Sequence, residues 1–289
     1  MSTQQTTAEP VVEDVSFRAD RAKLSGRLYQ PSGSPKAAIV IHGATGVPQS
    51  FYRHFAGWLA TEGYTCLTYD YRDTGASATG HLKNSKATMA EWGVADQPAA
   101  QRALEKFVPD TPVWAIGHSL GGMMLPFHEG ASRLSRVITV ASGPVHFRDH
   151  PWPYRGIAAA FWWGPAPGLV RLLGYLPARW LGMGPDLPKG VYWQWRKWCT
   201  TAGFTLSDVG YSLPLPDWKA VQAPVKLVAV ADDDLVPPTA VWRLMQQFPE
   251  ASKKQLVLRP SEFGLKKIGH VGAFRRENSS VWPKLIAFD

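Results

Sequence analysis

A serine between two glycines, directly after an apolar run, constrains the fold more than any other feature of this chain. The pentapeptide runs from Gly117 to Gly121 and has Ser119 at its centre. It follows the apolar stretch Pro112–Ile116 and precedes Leu120–Glu129, a segment that predicts a helix. A sharp turn between a strand and a helix forces its central residue into a backbone conformation that residues other than glycine rarely adopt. The turn also brings the positions two before and two after the serine so close to it that a side chain at either would collide. The pattern is typical of a nucleophile elbow, which exposes the serine hydroxyl.

A serine hydroxyl is a weak nucleophile at neutral pH, so it needs a base to take its proton and an acid to orient that base. The valine-rich stretch Pro224–Ala231 predicts a buried strand, which ends at three adjacent aspartates, residues 232–234. A further strand is predicted over Lys254–Leu258, and His270 follows it. The sequence therefore offers both partners downstream of the serine.

Alternating strand and helix patterns predict a mostly parallel sheet with helices on both faces. Val11–Phe17 and Lys23–Tyr29 predict an antiparallel pair at the start of the chain. The other predicted elements are the strand Ala37–Ile41, the helix Ser50–Glu62, the strand Tyr64–Tyr69, the helix Thr88–Phe107, the strand Arg136–Ala141 and the helix Pro238–Phe248. The serine, the aspartates and the histidine each follow a predicted strand, so we expect one crevice at the carboxyl ends of the strands to hold all three.

These stretches together resemble α/β-hydrolase-fold proteins of the serine hydrolase branch. The resemblance is greatest to the bacterial predicted α/β hydrolases allied to the serine aminopeptidase-like group. The order serine, aspartate, histidine along the chain is also that of α/β-hydrolases. The resemblance implies an α/β fold with a mostly parallel, doubly wound sheet and a helical lid insertion. Besides the elbow, the matching stretches are Val40–Gly46, Tyr69–Ser77, Asp233–Pro237 and Gly269–His270.

One position departs from the family pattern. Such families usually carry Arg-Gly-x-Gly in the second of these stretches, whereas Asp73 stands here in place of the first glycine. The departure concerns the local turn and does not touch the triad residues.

The resemblance implies a triad of Ser119 as nucleophile, His270 as general base and one of the three aspartates as the acid. In the family the acid usually stands four residues before the proline of the following turn, which gives Asp233 in this chain. Asp232 is the alternative. Asp234 is better suited to capping the helix that begins near residue 238.

Two backbone amides are expected to bind the oxyanion that forms during attack on a carbonyl group. One is Leu120, which directly follows the nucleophile at a helix N-terminus. The resemblance implies Ala44 as the other, with Thr45 as the alternative. His42 is expected to shape this loop rather than to transfer protons, and the side chain of His118 is expected to leave the turn in another direction.

Residues 144–217 interrupt the alternation of strands and helices. We therefore divide the chain into a first core segment (residues 1–143), a lid (144–217) and a second core segment (218–289). The interrupting segment contains seven of the thirteen tryptophans and is rich in proline and glycine. A lid at this place would exclude water and form the substrate pocket. About two-thirds of its tryptophans are expected to pack it onto the body, since large aromatic rings dominate core burial.

The charges of this segment indicate the substrate class. Aminopeptidases of the related group usually hold the substrate amine with a cap carboxylate, but no glutamate lies between Gly130 and Pro249. Residues 144–217 contain seven arginines and lysines against four aspartates, a net charge of +3. The sequence therefore predicts a serine hydrolase that cleaves an apolar or anionic carboxylic ester or thioester through an acyl-enzyme. An acyltransferase with the same triad and a non-catalytic binding protein are the alternatives.

Composition limits the remaining possibilities. A chain of 289 residues that is 45% hydrophobic suits one domain with a lid. The net charge is +8, but the cations are spread along the chain, so nucleic acid is not an expected partner. No metal-ligand spacing or cofactor motif is present, and no cofactor is expected. The expected partner is a small acyl substrate, while the oligomeric state is left open.

The number of cysteines and the length of the apolar runs predict the cellular location of the protein. Two cysteines, Cys66 and Cys199, do not indicate a disulfide scaffold. The stretch Met1–Pro10 lacks the apolar core of a signal peptide. The longest apolar run, Ile157–Trp163, is too short to span a bilayer. Together these observations predict a cytoplasmic protein.

Overall fold

An eight-stranded sheet forms the centre of the molecule, whose computed structural model describes residues 9–288. Most of the stretch Met1–Pro10, on which the expectation about a signal peptide depends, lies outside the described residues. The strands are β1 (Val11–Ala19), β2 (Ala22–Gln30), β3 (Ala38–His42), β4 (Thr65–Tyr69), β5 (Val113–His118), β6 (Arg136–Val140), β7 (Tyr175–Leu176), β8 (Leu187–Pro188), β9 (Val225–Val230) and β10 (Lys253–Leu258).

The sheet is mostly parallel, as predicted. Its order is β1-β2-β4-β3-β5-β6-β9-β10, while β7 and β8 pair only with each other. β2 runs antiparallel to both of its neighbours, and all other pairs of the large sheet are parallel. The parallel strands place their carboxyl ends along one edge, where a crevice can form.

Helices cover both faces of the sheet, so the doubly wound arrangement is confirmed. Successive side chains of a strand point to opposite faces, and in β3 Val40 joins one core whereas Ile39 and Ile41 join the other. The helices are α1 (Arg53–Thr61), α2 (Met89–Glu91), α3 (Gln97–Phe107), α4 (Leu120–Met123), α5 (Tyr154–Trp163), α6 (Pro165–Leu173), α7 (Lys189–Thr200), α8 (Pro238–Leu244), α9 (Gly269–Gly272) and α10 (Trp282–Ile286).

The helix predicted over Leu120–Glu129 is shorter in the structure. α4 ends at Met123, and a single 3₁₀ turn, Leu125–Phe127, follows it. Pro126 has no amide hydrogen to donate, and its ring disfavours a helical conformation at the residue before it. Residues 120–128 are nevertheless buried, so the segment crosses the core as a short irregular stretch.

The predicted helix over Thr88–Phe107 exists but is interrupted. A π-helical turn, Trp92–Asp96, separates α2 from α3. It directs the side chain of Asp96 into the core, where its carboxylate pairs with the guanidinium of Arg72 at 2.7 Å. Burial raises the pKa of Asp96 to about 6, although the bonds from Arg72 oppose the shift.

Asp73, which stands where the family pattern has glycine, adopts a backbone conformation that suits glycine. Its φ is 59°, in the left-handed region that glycine favours and that aspartate tolerates better than most residues. Its carboxylate also accepts a hydrogen bond of 2.6 Å from the hydroxyl of Ser85. The aspartate therefore occupies a position where glycine would be free of strain, and a hydrogen bond holds its side chain there.

Residues 144–217, called the insert below, contain α5, α6 and α7 and the β7–β8 pair. Trp162 and Trp198 are buried, but Trp152, Trp163 and Trp180 are each more than half exposed. The remaining two, Trp193 and Trp195, are partly buried and pack against the same core as Trp162 and Trp198, so four of the seven rings are packed, close to the expected two-thirds. Among residues 9–288, no helix combines the length and the apolar character that crossing a bilayer requires.

Candidate active site

The turn at Ser119 has the strained geometry of a nucleophile elbow. Ser119 has φ 53° and ψ −116° between the end of β5 and the start of α4. A Cβ atom on Gly117 would lie 2.4 Å from Cα of Gly122, and one on Gly121 would lie 2.0 Å from the carbonyl oxygen of His42. Only hydrogen fits at both positions, so the two glycines permit the close packing that holds the serine at the head of the helix.

The structure brings the three predicted triad residues together. The Ser119 Oγ lies 3.0 Å from Nε2 of His270, and Nδ1 of His270 lies 2.8 Å from Oδ2 of Asp233. Asp233 follows β9, and His270 belongs to α9 after β10. Asp233 is only 3% exposed, whereas Ser119 is partly accessible. The carboxyl ends of three different strands therefore position one continuous line of hydrogen bonds.

Hydrogen bonding to Asp233 defines the proton positions along this line. The Oδ1 atom accepts hydrogen bonds from the amides of Leu235 at 2.8 Å and Val236 at 3.0 Å. The carboxylate then offers Oδ2 as an acceptor to the imidazole, so Nδ1 of neutral His270 carries the proton. Nε2 is left as an acceptor that faces the hydroxyl of Ser119.

The alternative acid, Asp232, has a different partner. Its two carboxylate oxygens accept from the amides of Ile268 and Gly269, each at 3.0 Å. Asp232 therefore anchors the loop that leads into His270 and does not contact the imidazole. The expected capping role of Asp234 is wrong, because Pro237 precedes α8 and no side chain caps that helix.

The backbone amides predicted to bind the oxyanion differ in whether they already donate a hydrogen bond within the protein. The amide of Leu120 begins α4 and has no hydrogen-bond acceptor among residues 9–288. The amide of Ala44 already donates to the hydroxyl of Tyr52 at 2.9 Å, which corrects its assignment as a free donor. The alternative, Thr45, has an amide without an acceptor in the same described part of the chain.

The loop that contains these amides lies beside the elbow. His42 pairs with Gly117 across the neighbouring strands, and its carbonyl group packs against Gly121. We call residues 43–46 the β3 loop. A 3₁₀ turn, Gln49–Tyr52, follows this loop and places the Tyr52 ring against Gly43, which explains why the phenol reaches the Ala44 amide.

His118 leaves the turn away from the Ser119 hydroxyl, as expected, but it has partners that the sequence did not indicate. Its Nδ1 lies 2.8 Å from the Tyr52 hydroxyl, and its Nε2 lies 3.0 Å from the carbonyl oxygen of His270. His118 is fully buried, and burial lowers its pKa to about 3. No motif marked Tyr52, whose contact depends on ring packing between distant segments.

His42 lies beside the site without joining the triad. His42 is fully buried, and its Nδ1 bonds with the hydroxyl of Tyr69 at 2.8 Å rather than with a triad residue. No cluster of three or more histidine, cysteine, aspartate or glutamate side chains within residues 9–288 has the arrangement of a metal site.

Comparison with known proteins identifies the family. The chain belongs to the alpha/beta hydrolase family, whose model matches residues 38–274. The chain is similar to an esterase of Pyrococcus furiosus, with a TM-score of 0.57 and 17% identity over 95% of this chain and 89% of the esterase. This similarity concerns the fold.

Curated relatives match a shorter part of the chain. The quorum-quenching protein AidA of Acinetobacter baumannii (strain MDR-ZJ06) is 31% identical over 131 residues, which are 44% of this chain and 42% of AidA. Human monoglyceride lipase is 25% identical over 131 residues, which are 45% of this chain and 38% of the lipase. The chain thus spans less than half the length of these relatives. The proteins that this chain is similar to thus include a lipase and an esterase.

Proposed function

We propose that this protein is a serine hydrolase that cleaves a carboxylic ester or thioester through an acyl-enzyme. The observation that supports the proposal most is the line of two hydrogen bonds from Ser119 through His270 to Asp233. The name of the human relative adds support, because a monoglyceride lipase acts on an ester of glycerol.

In the first half of the proposed cycle, Ser119 attacks the acyl carbonyl carbon and its proton passes to Nε2 of His270. Asp233 stabilises the imidazolium that forms. The tetrahedral intermediate then collapses, and His270 gives the proton to the departing alcohol or thiol. In the second half, a water molecule attacks the acyl-serine by the same route, which releases the carboxylic acid and restores the serine hydroxyl.

Two amides are proposed to stabilise the oxyanion of both tetrahedral intermediates. Leu120 provides one, because its amide stands at the start of α4 without an acceptor in the part of the chain that the structure describes. We assign the other to Thr45 rather than Ala44, since the Ala44 amide is bonded to Tyr52. A preorganised donor of this kind stabilises the transition state by roughly 3 kcal/mol.

The insert is proposed to act as a lid, with residues 1–143 and 218–289 as the two core segments. Two contacts near the site support this role. The side chain of Leu187 packs beside Gly46 of the β3 loop, and Nδ1 of His150 bonds with the carbonyl of Asp234 at 3.0 Å. The net charge of +3 of the insert favours an apolar or anionic acyl substrate.

Ester hydrolysis by a serine variant tests the proposal. Wild type is expected to release p-nitrophenol from short- or medium-chain esters, and Ser119→Ala is expected to lower kcat/KM by at least about 10³-fold. Ser132→Ala serves as the matched control, because Ser132 is exposed and lies outside the site. A fluorophosphonate probe should label wild type and the control but not Ser119→Ala. Equal rates in wild type and Ser119→Ala, or a wild type that neither hydrolyses nor reacts with the probe, would contradict the proposal.

A further inference from the structure

A buried chain of hydrogen bonds connects the β3 loop to the main chain of His270. The Ala44 amide donates to the hydroxyl of Tyr52 at 2.9 Å, and that hydroxyl lies 2.8 Å from Nδ1 of His118. On the other side of the ring, Nε2 of His118 lies 3.0 Å from the carbonyl oxygen of His270. Three parts of the chain that are far apart in sequence are thereby joined directly behind the triad.

The direction of each bond follows from the donors and acceptors present. The His270 carbonyl can only accept, so Nε2 of His118 carries a proton. A neutral imidazole has one proton, which leaves Nδ1 of His118 as an acceptor. The Tyr52 hydroxyl must then donate to Nδ1, and its oxygen remains free to accept the proton of the Ala44 amide. Every polar atom in this series of hydrogen bonds then has a partner. With a neutral His118 ring, no other placement of the protons gives all of these atoms a partner.

Packing holds the same groups in place. Tyr52 is 1% exposed and His118 is 0% exposed. The ring of Phe274 contacts both, with centroid separations of 5.2 Å to Tyr52 and 4.9 Å to His118. Neither side chain is accessible to a substrate, so any effect on catalysis must pass through the groups that they hold.

We propose that Tyr52 and His118 are positioning residues that keep the β3 loop and His270 in register for catalysis. This inference rests on the proposed function. Because Tyr52 takes the Ala44 amide, it fixes the orientation of the peptide units that follow, including the Thr45 amide. His118 restrains His270 at its backbone carbonyl, whereas Asp233 holds its ring. The line of bonds through the triad and the line through Tyr52 thus restrain the same histidine at its side chain and at its backbone.

Tyr52→Phe tests the role of the hydroxyl while it keeps the aromatic ring. The variant leaves the Ala44 amide and Nδ1 of His118 without partners, so both segments shift to recover hydrogen bonds. A displacement near 1 Å at a reacting group can cost about 10²-fold in rate. We expect kcat, normalised to serines titrated with a fluorophosphonate, to fall by about 10- to 100-fold. KM should change less than about threefold, because ground-state binding does not involve these groups.

The matched control is Tyr64→Phe. Tyr64 directly precedes β4, so it lies at the amino end of a strand, whereas the candidate site lies at the carboxyl ends. Its hydroxyl has no hydrogen-bond partner among residues 9–288. This variant should keep the wild-type kcat and KM.

An unchanged kcat in Tyr52→Phe would overturn the inference. An increase in kcat would also overturn it, since Tyr52 would then compete with the oxyanion for the Ala44 amide.

Two substitutions of His118 by residues of similar shape, glutamine and methionine, provide an independent test in case Tyr52→Phe does not fold. Gln keeps one donor and one acceptor, whereas Met has nearly the same shape and neither. His118→Gln is expected to retain at least about a third of the wild-type kcat, and His118→Met to fall with Tyr52→Phe. Equal values for the two variants would contradict the inference.

Failure of the inference is distinguishable from failure of the proposed function. If Ser119→Ala is inactive but Tyr52→Phe and both His118 variants behave like wild type, the serine mechanism stands and the positioning role is wrong. If Ser119→Ala remains active, the proposed function itself is wrong.

Discussion

Three adjacent aspartates have three different environments because the chain turns sharply after β9. Asp232 binds the amides of Ile268 and Gly269. Asp233 points into the site and contacts His270. Asp234 is exposed, and its backbone carbonyl group bonds with Nδ1 of His150. Identical side chains at successive positions therefore anchor a loop, face the imidazole and face the solvent, respectively.

Removing the charge of Asp233 is predicted to damage catalysis far more than stability. In Asp233→Asn the amide group no longer favours a proton on Nδ1 of His270, so the ring adopts the wrong tautomer towards Ser119. We expect kcat for ester hydrolysis to fall by about 10⁴-fold, as the same change does in serine proteases. Steady-state kinetics on p-nitrophenyl esters provide the measurement, and Asp234→Asn is the control that should remain within twofold of wild type. A similar loss in both variants would show that the triplet acts through its total charge.

The residues after strand ends were predictable, whereas those joined by packing were not. Ser119, Asp233 and His270 each have a sequence context that indicates their place, and the structure brings the three together. Tyr52 has no such context, because its partner His118 lies 66 residues away. The bond from the Ala44 amide to the Tyr52 hydroxyl spans only eight residues, but no motif in the sequence marks it.

At the level of elements, the π-helical turn between α2 and α3 shows how a tertiary contact interrupts a helix. The apolar periodicity of this segment predicts one continuous helix. The turn instead directs the carboxylate of Asp96 to the backbone amide of Arg72 at 2.9 Å and to its Nε at 2.8 Å. Local sequence contains no sign of a partner that lies 24 residues earlier. α4 differs from this case, because Pro126 is a local signal for its early end at Met123.

The buried carboxylate at this turn is predicted to be essential for stability. In Asp96→Asn the guanidinium of Arg72 loses its fully buried partner and keeps only more exposed ones. The more exposed carboxylates compensate the mostly buried guanidinium only in part, so we expect a loss of about 3 kcal/mol in the free energy of unfolding. Urea denaturation measures the loss. Asp20→Asn is the matched control, because Asp20 contacts the same arginine at 3.9 Å with a side chain that is 70% exposed. Its effect should stay below about 0.5 kcal/mol.

At the scale of the whole molecule, three histidines are enclosed in the neutral form next to the central sheet. Burial lowers the pKa of His118 to about 3 and that of His128 to about 4, and it lowers the pKa of His42 well below its usual range. His42 and His128 pack against each other at a centroid separation of 5.6 Å, so charging one would further oppose charging the other. The fold therefore encloses proton acceptors that are accessible only when the chain unfolds.

This arrangement predicts a protein that loses stability in mild acid. In the unfolded chain a histidine takes up a proton near pH 6.5, whereas the buried rings stay neutral until the pH approaches their lowered values. Between these limits the unfolded state binds more protons. The free energy of unfolding should therefore fall by about 1.4 kcal/mol per pH unit for each histidine as the pH decreases from 6.5 towards 4.

His128→Leu isolates one histidine of this group. Within residues 9–288 neither ring nitrogen of His128 has a hydrogen-bond partner of good geometry, and burial lowers its pKa more than the nearby backbone groups of Gln97 and Glu129 raise it. An apolar side chain therefore removes the proton acceptor at little cost in hydrogen bonding. At pH 7.5 the variant should be at least as stable as wild type, because an unpaired buried polar group is costly. Between pH 6.5 and 4.5 its stability should decline less steeply, by about 1.4 kcal/mol per pH unit. Urea denaturation at several pH values measures both quantities. A decline as steep as that of wild type would mean that His128 gains its proton in the folded state, and the acid sensitivity would then have to come from other groups.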